Sequence, residues 1–220
     1  MIQQATLKFL KNIKKNNNRP WFEGHRPQYE LAKADILSFV NGLIKQMSAF
    51  DPPIGALTGK ECIFRINRDV RFSKDKSPYK NHLSAYFNKG GKKSNGGGYY
   101  IHIQPGNSFA AGGIWSPLPA DLAKIRQEID YSFTDWKKLT GSKAFTKQFP
   151  KGVITEASLT RPPKGYDESN PAIDFIKMKN FFVLSPFTDA AVQSKSFTKD
   201  VAATFKTLKP MIDFLNTAIE

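Results

Sequence analysis

The chain of 220 residues has one cysteine, Cys62, and three histidines. A single cysteine excludes an internal disulfide and any cysteine-based zinc or iron–sulfur centre built within one chain. The histidines (His25, His82 and His102) show neither H-x-H nor H-x-x-x-H spacing, so no metal and no cofactor is expected. No apolar run approaches the ~18 residues of a membrane helix. The start, M-I-Q-Q-A-T-L-K-F-L-K-N-I-K-K, breaks each short apolar run with Lys or Asn, unlike a secretory signal. There is no G-x-S-x-G, and no paired carboxylates stand out for glycosidase chemistry. Ser73-Lys74-Asp75-Lys76 matches S-x-x-K but lacks its K-T-G and S-D-N companions. Gly55 and Gly59-Lys60 resemble a phosphate loop, yet the spacing is short and Glu61 replaces Ser/Thr. The expectation is a soluble cytoplasmic protein without a membrane partner, a single domain over residues 1–220, and a monomer by default.

What is present is a core and a charge. Apolar residues make up 40 % and aromatics 13 %, too much for a disordered chain. A chain of this length buries roughly 70 % of its unfolded surface, so it needs no disulfide staple. The formal net charge is +14, and half of that excess lies in residues 60–93. Most of the basic residues are lysines spread along the chain, as on any solubilising surface. Arginine is scarcer and more telling, because its planar fork grips carboxylate or phosphate with two bonds. Of only seven arginines, Arg65, Arg68 and Arg71 fall within seven consecutive positions.

Leu7, Leu10 and Ile13 predict a first helix, which Asn16, Asn17 and Asn18 end. Pro20 can open the next helix at its first position. Phe22 to Met47 then repeat at helical spacing, with Pro27 demanding a kink or a new start. Residues 62–66 read as a strand with Phe64 and Ile66 on one face and Arg65 on the other. Residues 82–88 and 99–104 alternate cleanly and flank the Gly-rich linker K-G-G-K-K-S-N-G-G-G, which predicts a hairpin. One face of it is apolar. The other carries His82, Ser84, Tyr86, Tyr100, His102 and Gln104. A further strand at 108–115 holds Ala110, Ala111, Gly112 and Gly113, small residues that mark close approach of a helix or a ligand. Ser116 reads as an N-cap with Pro117 at the first helical position. A short helix near 133–139, a helix over 171–179 capped by Asn170, a strand at 181–184 and a last helix from Phe197, kinked or split at Pro210, complete the chain. Strands in the middle and helices at both ends predict an α+β fold: a mostly antiparallel sheet packed by N- and C-terminal helices.

Four stretches carry a resemblance: N-N-N-R-P-W-F-E-G-H-R-P-Q-Y-E at 16–30, R-D-V-R-F-S-K-D-K-S-P-Y-K at 68–80, G-Y-Y-I-H-I-Q-P at 98–105 and S-F-A-A-G-G-I-W-S-P at 108–117. With them the chain resembles, over nearly its whole length, the bacterial and fungal family catalogued as domain of unknown function 2461. The resemblance implies a soluble single-domain α+β protein and brings no catalytic role with it. It also links Trp21, His25, Arg26 and Tyr29, and Tyr100, His102 and Trp115, to the segment 68–80.

The residues themselves point to an anion. Arg65, Arg68, Arg71, Lys74, Lys76 and Lys80 crowd together with only Asp69 and Asp75 between them. Like charges this close are unfavourable unless an anion or carboxylates intervene. The leading expectation is a phosphorylated or polyanionic ligand, either an anionic small molecule or single-stranded nucleic acid, with Arg26, Tyr100 and Trp115 completing the site. The alternative is an enzyme on a small phosphate- or carboxylate-bearing substrate, with His102, Tyr79 or Asp69 as acid–base. A third reading makes the segment an internal Arg/Asp salt-bridge lattice. Taken singly, His25 reads first as a core or cap residue, His102 as a surface residue, and Trp21 and Trp115 as core.

Overall fold

The computed structural model describes residues 1–92 and 94–220; Lys93, counted in the basic stretch, lies outside them. Near the N-terminus, capping chemistry sets the boundaries. Helix α1 (Gln4–Lys15) buries Leu7, Phe9, Leu10 and Ile13 and stops at Asn16. Its first-turn donors are met by the Asp35 carboxylate, which accepts from Gln3 N at 2.8 Å and Thr6 Oγ1 at 2.6 Å. Asn18 caps α2 (Arg19–Gly24) by accepting from Trp21 N, with Pro20 just inside. Pro27 does not kink a helix. It opens a new one, α3 (Arg26–Met47), with His25 as the cap residue between α2 and α3.

After a short 3-10 turn at Pro52–Ala56 comes α4 (Gly59–Cys62), held by a Thr58/Glu61 capping box. The strand expected at 62–66 is not a strand. Residue 62 ends α4, and the chain then pairs with its neighbours through the isolated bridges Ile63–Ala85 and Asn67–Tyr79 rather than through a strand. The capping box draws the first residues of that stretch into a helical turn, which period-2 reading of C-I-F-R-I does not weigh.

The sheet holds β1 (Leu83–Phe87), β2 (Gly98–Ile103), β3 (Ser108–Ile114) and β4 (Phe181–Phe187), in the order β1-β2-β3-β4, antiparallel. The alternation of β1 and β2 is real: Leu83, Ala85, Phe87, Tyr99, Ile101 and Ile103 are all buried. Between β3 and β4 lie α5 (Pro119–Tyr131), α6 (Phe133–Thr140), α7 (Lys143–Gln148) and α8 (Ile173–Ile176). Helices α9 (Asp189–Val192) and α10 (Phe197–Ile219) follow. Helix α5 starts later than Ser116 predicts. Leu118 precedes Pro119, and a residue before proline is kept out of the helical region, so Pro119 is the first position. The expected 171–179 helix shrinks to α8, with the Asn170 side chain accepting from Ala172 N just ahead of it. Helix α10 runs through Pro210 without splitting. Pro210 and Lys206 are both exposed, so water can satisfy the carbonyl that the proline leaves unpaired.

The chain packs as two compact units. The first comprises Met1–Lys92, Tyr100–Ala110 and Pro186–Ala203; the second comprises Lys93–Tyr99, Ala111–Ser185 and Thr204–Glu220. In the first, α3 and α4 cover the apolar side of β1, and Phe39 stacks on Phe197 at 5.1 Å. In the second, Tyr99 packs on Phe205 and Trp136 is fully buried among Phe175, Phe181 and Phe214. Among the described residues, no helix is long and apolar enough to cross a membrane.

Candidate functional site

The basic segment folds as a tight excursion from the first unit. Its stem is paired by Lys80 N to Ile66 O, the Asn67–Tyr79 bridge and Arg68 N to Pro78 O. Asn17 clamps the stem from α1's C-terminal side: its amide donates to Tyr79 O at 2.8 Å and its oxygen accepts from Tyr79 N at 3.0 Å. The Tyr79 ring is buried and stacks on Phe22 at 4.0 Å. That placement makes Tyr79 an anchor of the segment.

Arg68 is the hub of the loop. Its guanidinium donates to Asp75 Oδ2 at 2.5 Å, to Ser77 O at 3.1 Å and to Ser73 Oγ at 3.3 Å. Asp75 also accepts from Ser77 N, and these bonds, Ser77 foremost, hold its carboxyl down to about 2. Asp69 accepts from Arg71 Nε at 3.0 Å and Nη2 at 2.6 Å, so it orients an arginine. Both carboxylates of the loop are thus spent on two of its arginines. Arg26 is occupied likewise by a two-bond contact with Glu23. Arg68→Ala should cost only a little global stability, because the half-buried Arg68 pairs with an exposed Asp75 whose charge water screens. It should nonetheless open the loop, and trypsin should then cut at Lys74 or Lys76 severalfold faster than in the wild type. Equal cleavage rates would show that Arg68 does not hold the loop.

Three further cations gather at the stem: Arg65, Lys80 and Lys92. Lys80 and Lys92 both stand 5.4 Å from the Phe64 ring centroid. The Lys80 ammonium donates to Arg65 O at 2.9 Å and that of Lys92 to Ile63 O at 2.6 Å. Burial, then the charges of Arg65 and Lys92, push the Lys80 ammonium below its ordinary value. Among the described residues, no carboxylate lies within 4 Å of Arg65, Lys80 or Lys92. Lys74 is exposed and equally without an ion pair, while Lys76 donates to Val70 O.

Beside Phe64 lies the polar face of β1 and β2. The Tyr100 ring is 6.3 Å from Phe64. Its hydroxyl meets His102 Nδ1 at 3.1 Å, and His102 Nε2 meets Gln104 Oε1 at 2.8 Å. Because an amide oxygen can only accept, Nε2 carries the proton, and Nδ1 accepts from Tyr100. His102 is sandwiched between His82, at 4.1 Å, and Phe109, at 4.7 Å. It is 8 % exposed, which corrects the surface placement expected for it. A period-2 face is polar in sequence yet buried here, since the ring ladder His82–His102–Phe109 covers itself. Burial pushes His82 down to about 3, helped by His102 and Lys80, and lowers His102 as well. Both histidines are therefore neutral near pH 7.

The remaining expected residues lie elsewhere. His25 stacks on Trp21 at 4.0 Å, and Phe9, Phe22 and Tyr29 complete that ring cluster. It meets the basic segment at Tyr79, whereas the sheet face meets it at Phe64. Trp115 belongs to the second unit. It leans on Phe182 and is 54 % exposed, which corrects its expected place in a core. Lys92 and His82 enter the site without having been singled out in sequence. Lys92 sits in a Gly-rich linker and reaches Ile63 only through tertiary folding. Cys62 is buried, and burial pushes its thiol up to about 11, away from the reactive thiolate. Among the described residues, no three His, Cys, Asp or Glu side chains gather as metal ligands.

No curated protein and no solved structure matches the chain. The sequence model of the conserved hypothetical protein family DUF2461 matches residues 5–214, and the chain belongs to that family.

Proposed function

We propose that the first unit binds a phosphorylated or polyanionic ligand through the basic segment at 65–80, with Lys80 and Lys92 over Phe64, and Arg65 near Lys80, as the anchoring cations. The observation that carries this reading is a cluster of three like charges with no carboxylate within 4 Å among the described residues. Such a cluster is unfavourable alone and is relieved by an anion. Arg71, Lys74 and Lys76 extend the positive field along the loop. Arg68 acts indirectly, by holding the loop's shape.

Isothermal titration calorimetry with inorganic pyrophosphate tests the reading. A charge-assisted bond to phosphate is worth about 1.5–3 kcal/mol, or roughly ten- to a hundredfold in affinity. Arg65→Gln, Lys80→Met and Lys92→Met should each weaken binding by about that factor. Lys137→Ala in the second unit, whose ammonium lies over Phe133, should not. Equal losses in all four variants would remove a localised site.

A second reading has one specific observation behind it. His82 lies beside Lys80 with no hydrogen bond to either ring nitrogen among the described residues, so a ring nitrogen is open to a substrate proton. An enzyme on a small phosphate- or carboxylate-bearing substrate would use it so. Turnover lost in His82→Phe, with pyrophosphate binding kept, would decide for catalysis.

A further inference from the structure

At the tip of the basic loop, Phe72 is 95 % exposed, although it is among the most apolar side chains of the segment. The backbone displays it deliberately. Ser73 N bonds Val70 O, Lys76 Nζ bonds the same oxygen, and Arg68 ties Ser73, Asp75 and Ser77 together beneath it. The Arg71 guanidinium lies 5.8 Å from the Phe72 ring centroid, and the exposed Lys74 and Lys76 follow. An aromatic ring held in water among cations is the arrangement that stacks a nucleobase while neighbouring charges take its phosphates. The stem leads from this tip to the second aromatic station, Phe64 under Lys80 and Lys92. Phe64 lies eight residues before Phe72, so the two stations are at most roughly 29 Å apart along the chain.

We infer that the polyanion is single-stranded nucleic acid, its backbone following Arg71, Lys74, Lys76, Lys80, Arg65 and Lys92 while one base stacks on Phe72. This rests on the anion-binding reading above and specifies its ligand. The charge favours a strand over a lipid surface. Five of the six cations lie on one hairpin and Lys92 joins them at its stem, and a single ring gives a membrane too little apolar area to hold.

The test is fluorescence anisotropy of labelled oligothymidylate and oligouridylate of about twelve nucleotides against salt concentration. With five or six phosphates contacted, log K should fall against log salt with a slope of roughly −3.5 to −4. Phe72→Ala should weaken binding about tenfold and leave that slope unchanged; Phe72→Tyr should restore it. Lys74→Ala should instead flatten the slope by about 0.7. Oligonucleotide binding indifferent to Phe72→Ala overturns the stacking role. Binding to phosphatidylserine vesicles without oligonucleotide binding overturns the inference in favour of a membrane surface. Pyrophosphate binding with neither oligonucleotide nor vesicle binding overturns it while leaving the anion site intact.

Discussion

Gly113→Ala should cost about 3–5 kcal/mol of folding stability, the largest loss expected from adding one methyl group to this chain. Gly113 on β3 has φ +130, a backbone conformation that L side chains rarely adopt. An alanine there carries of order 1–3 kcal/mol of strain. The added Cβ would also lie 2.1 Å from Phe181 O and 2.8 Å from Phe182 Cα on β4. Those are backbone atoms of the neighbouring strand, so no side chain can swing aside, and overpacking adds a further 1–3 kcal/mol. Against a typical total of about 5–15 kcal/mol, the variant should be marginal.

A urea titration followed by circular dichroism checks this against two controls. Gly112→Ala meets Leu208 Cδ2 at 2.3 Å, the movable end of a side chain, but also Gly98 O at 2.8 Å. It should lose less than Gly113→Ala. Gly91 has φ +74 and nothing within 4 Å of the added carbon. It should lose only the conformational part, about 1 kcal/mol. A Gly113→Ala midpoint no lower than that of Gly91→Ala would mean β3 and β4 do not approach as closely as described.

The small residues of β3 were one place where sequence spoke plainly but incompletely. Ala110 to Gly113 announced close approach without saying to what. The answer is strand β4 and the α10 side chain Leu208, within the second unit. Where boundaries depend on chemistry local to a few residues, they were legible: Asn16, Asn18, Pro20 and Pro27 mark the ends and starts of α1, α2 and α3. The alternation of β1 and β2 was legible because one face is a continuous core. Short elements were not. Helices α7 and α9 are too brief to show a period, and their Ser142 and Thr188 caps are common residues. The segment 62–66 is not a strand because the Thr58/Glu61 capping box carries the helical turn of α4 into Cys62.

For the proposed site, arginine density marks the basic stretch of chain but not which of its charges lack a close carboxylate. Of the three clustered arginines, Arg68 and Arg71 are each met by a carboxylate a few residues away. Among the described residues Arg65, Lys80 and Lys92, like Lys74, have no carboxylate within 4 Å, and Lys92 comes from the β1–β2 linker. Side-chain pairing within a loop cancels charge over distances that a count along the sequence cannot resolve.

Acidification should expose the buried histidines before it touches the carboxylates. In the folded chain, burial beside His102 and Lys80 holds His82 near 3, against an ordinary value of 6.5. The unfolded chain therefore takes up a proton that the folded chain refuses as pH falls below 6.5. Stability is full above 6.5 and is lost progressively down towards 3, by at most about 1.4 kcal/mol per pH unit for one group. The residual solvent contact of His82 trims that slope. His102 is shifted the same way, so both rings contribute. The paired carboxylates behave differently: Glu61, Asp69 and Asp75 lie below their ordinary 4.5 and 3.8, so their loss begins only under about pH 4.5. Between pH 6.5 and 4.5 the melting temperature of the wild type should thus fall by several degrees. His82→Phe keeps a ring against His102 but cannot titrate, and its decline over that interval should be clearly shallower. Pyrophosphate placed beside Lys80 would favour a protonated His82, so it should also flatten the wild-type decline. Parallel curves for wild type and His82→Phe would show that His82 titrates normally and that the ring ladder is open to water. A shallower decline in the variant, with pyrophosphate acting only on the wild type, would join the histidine face and the cation cluster into one site.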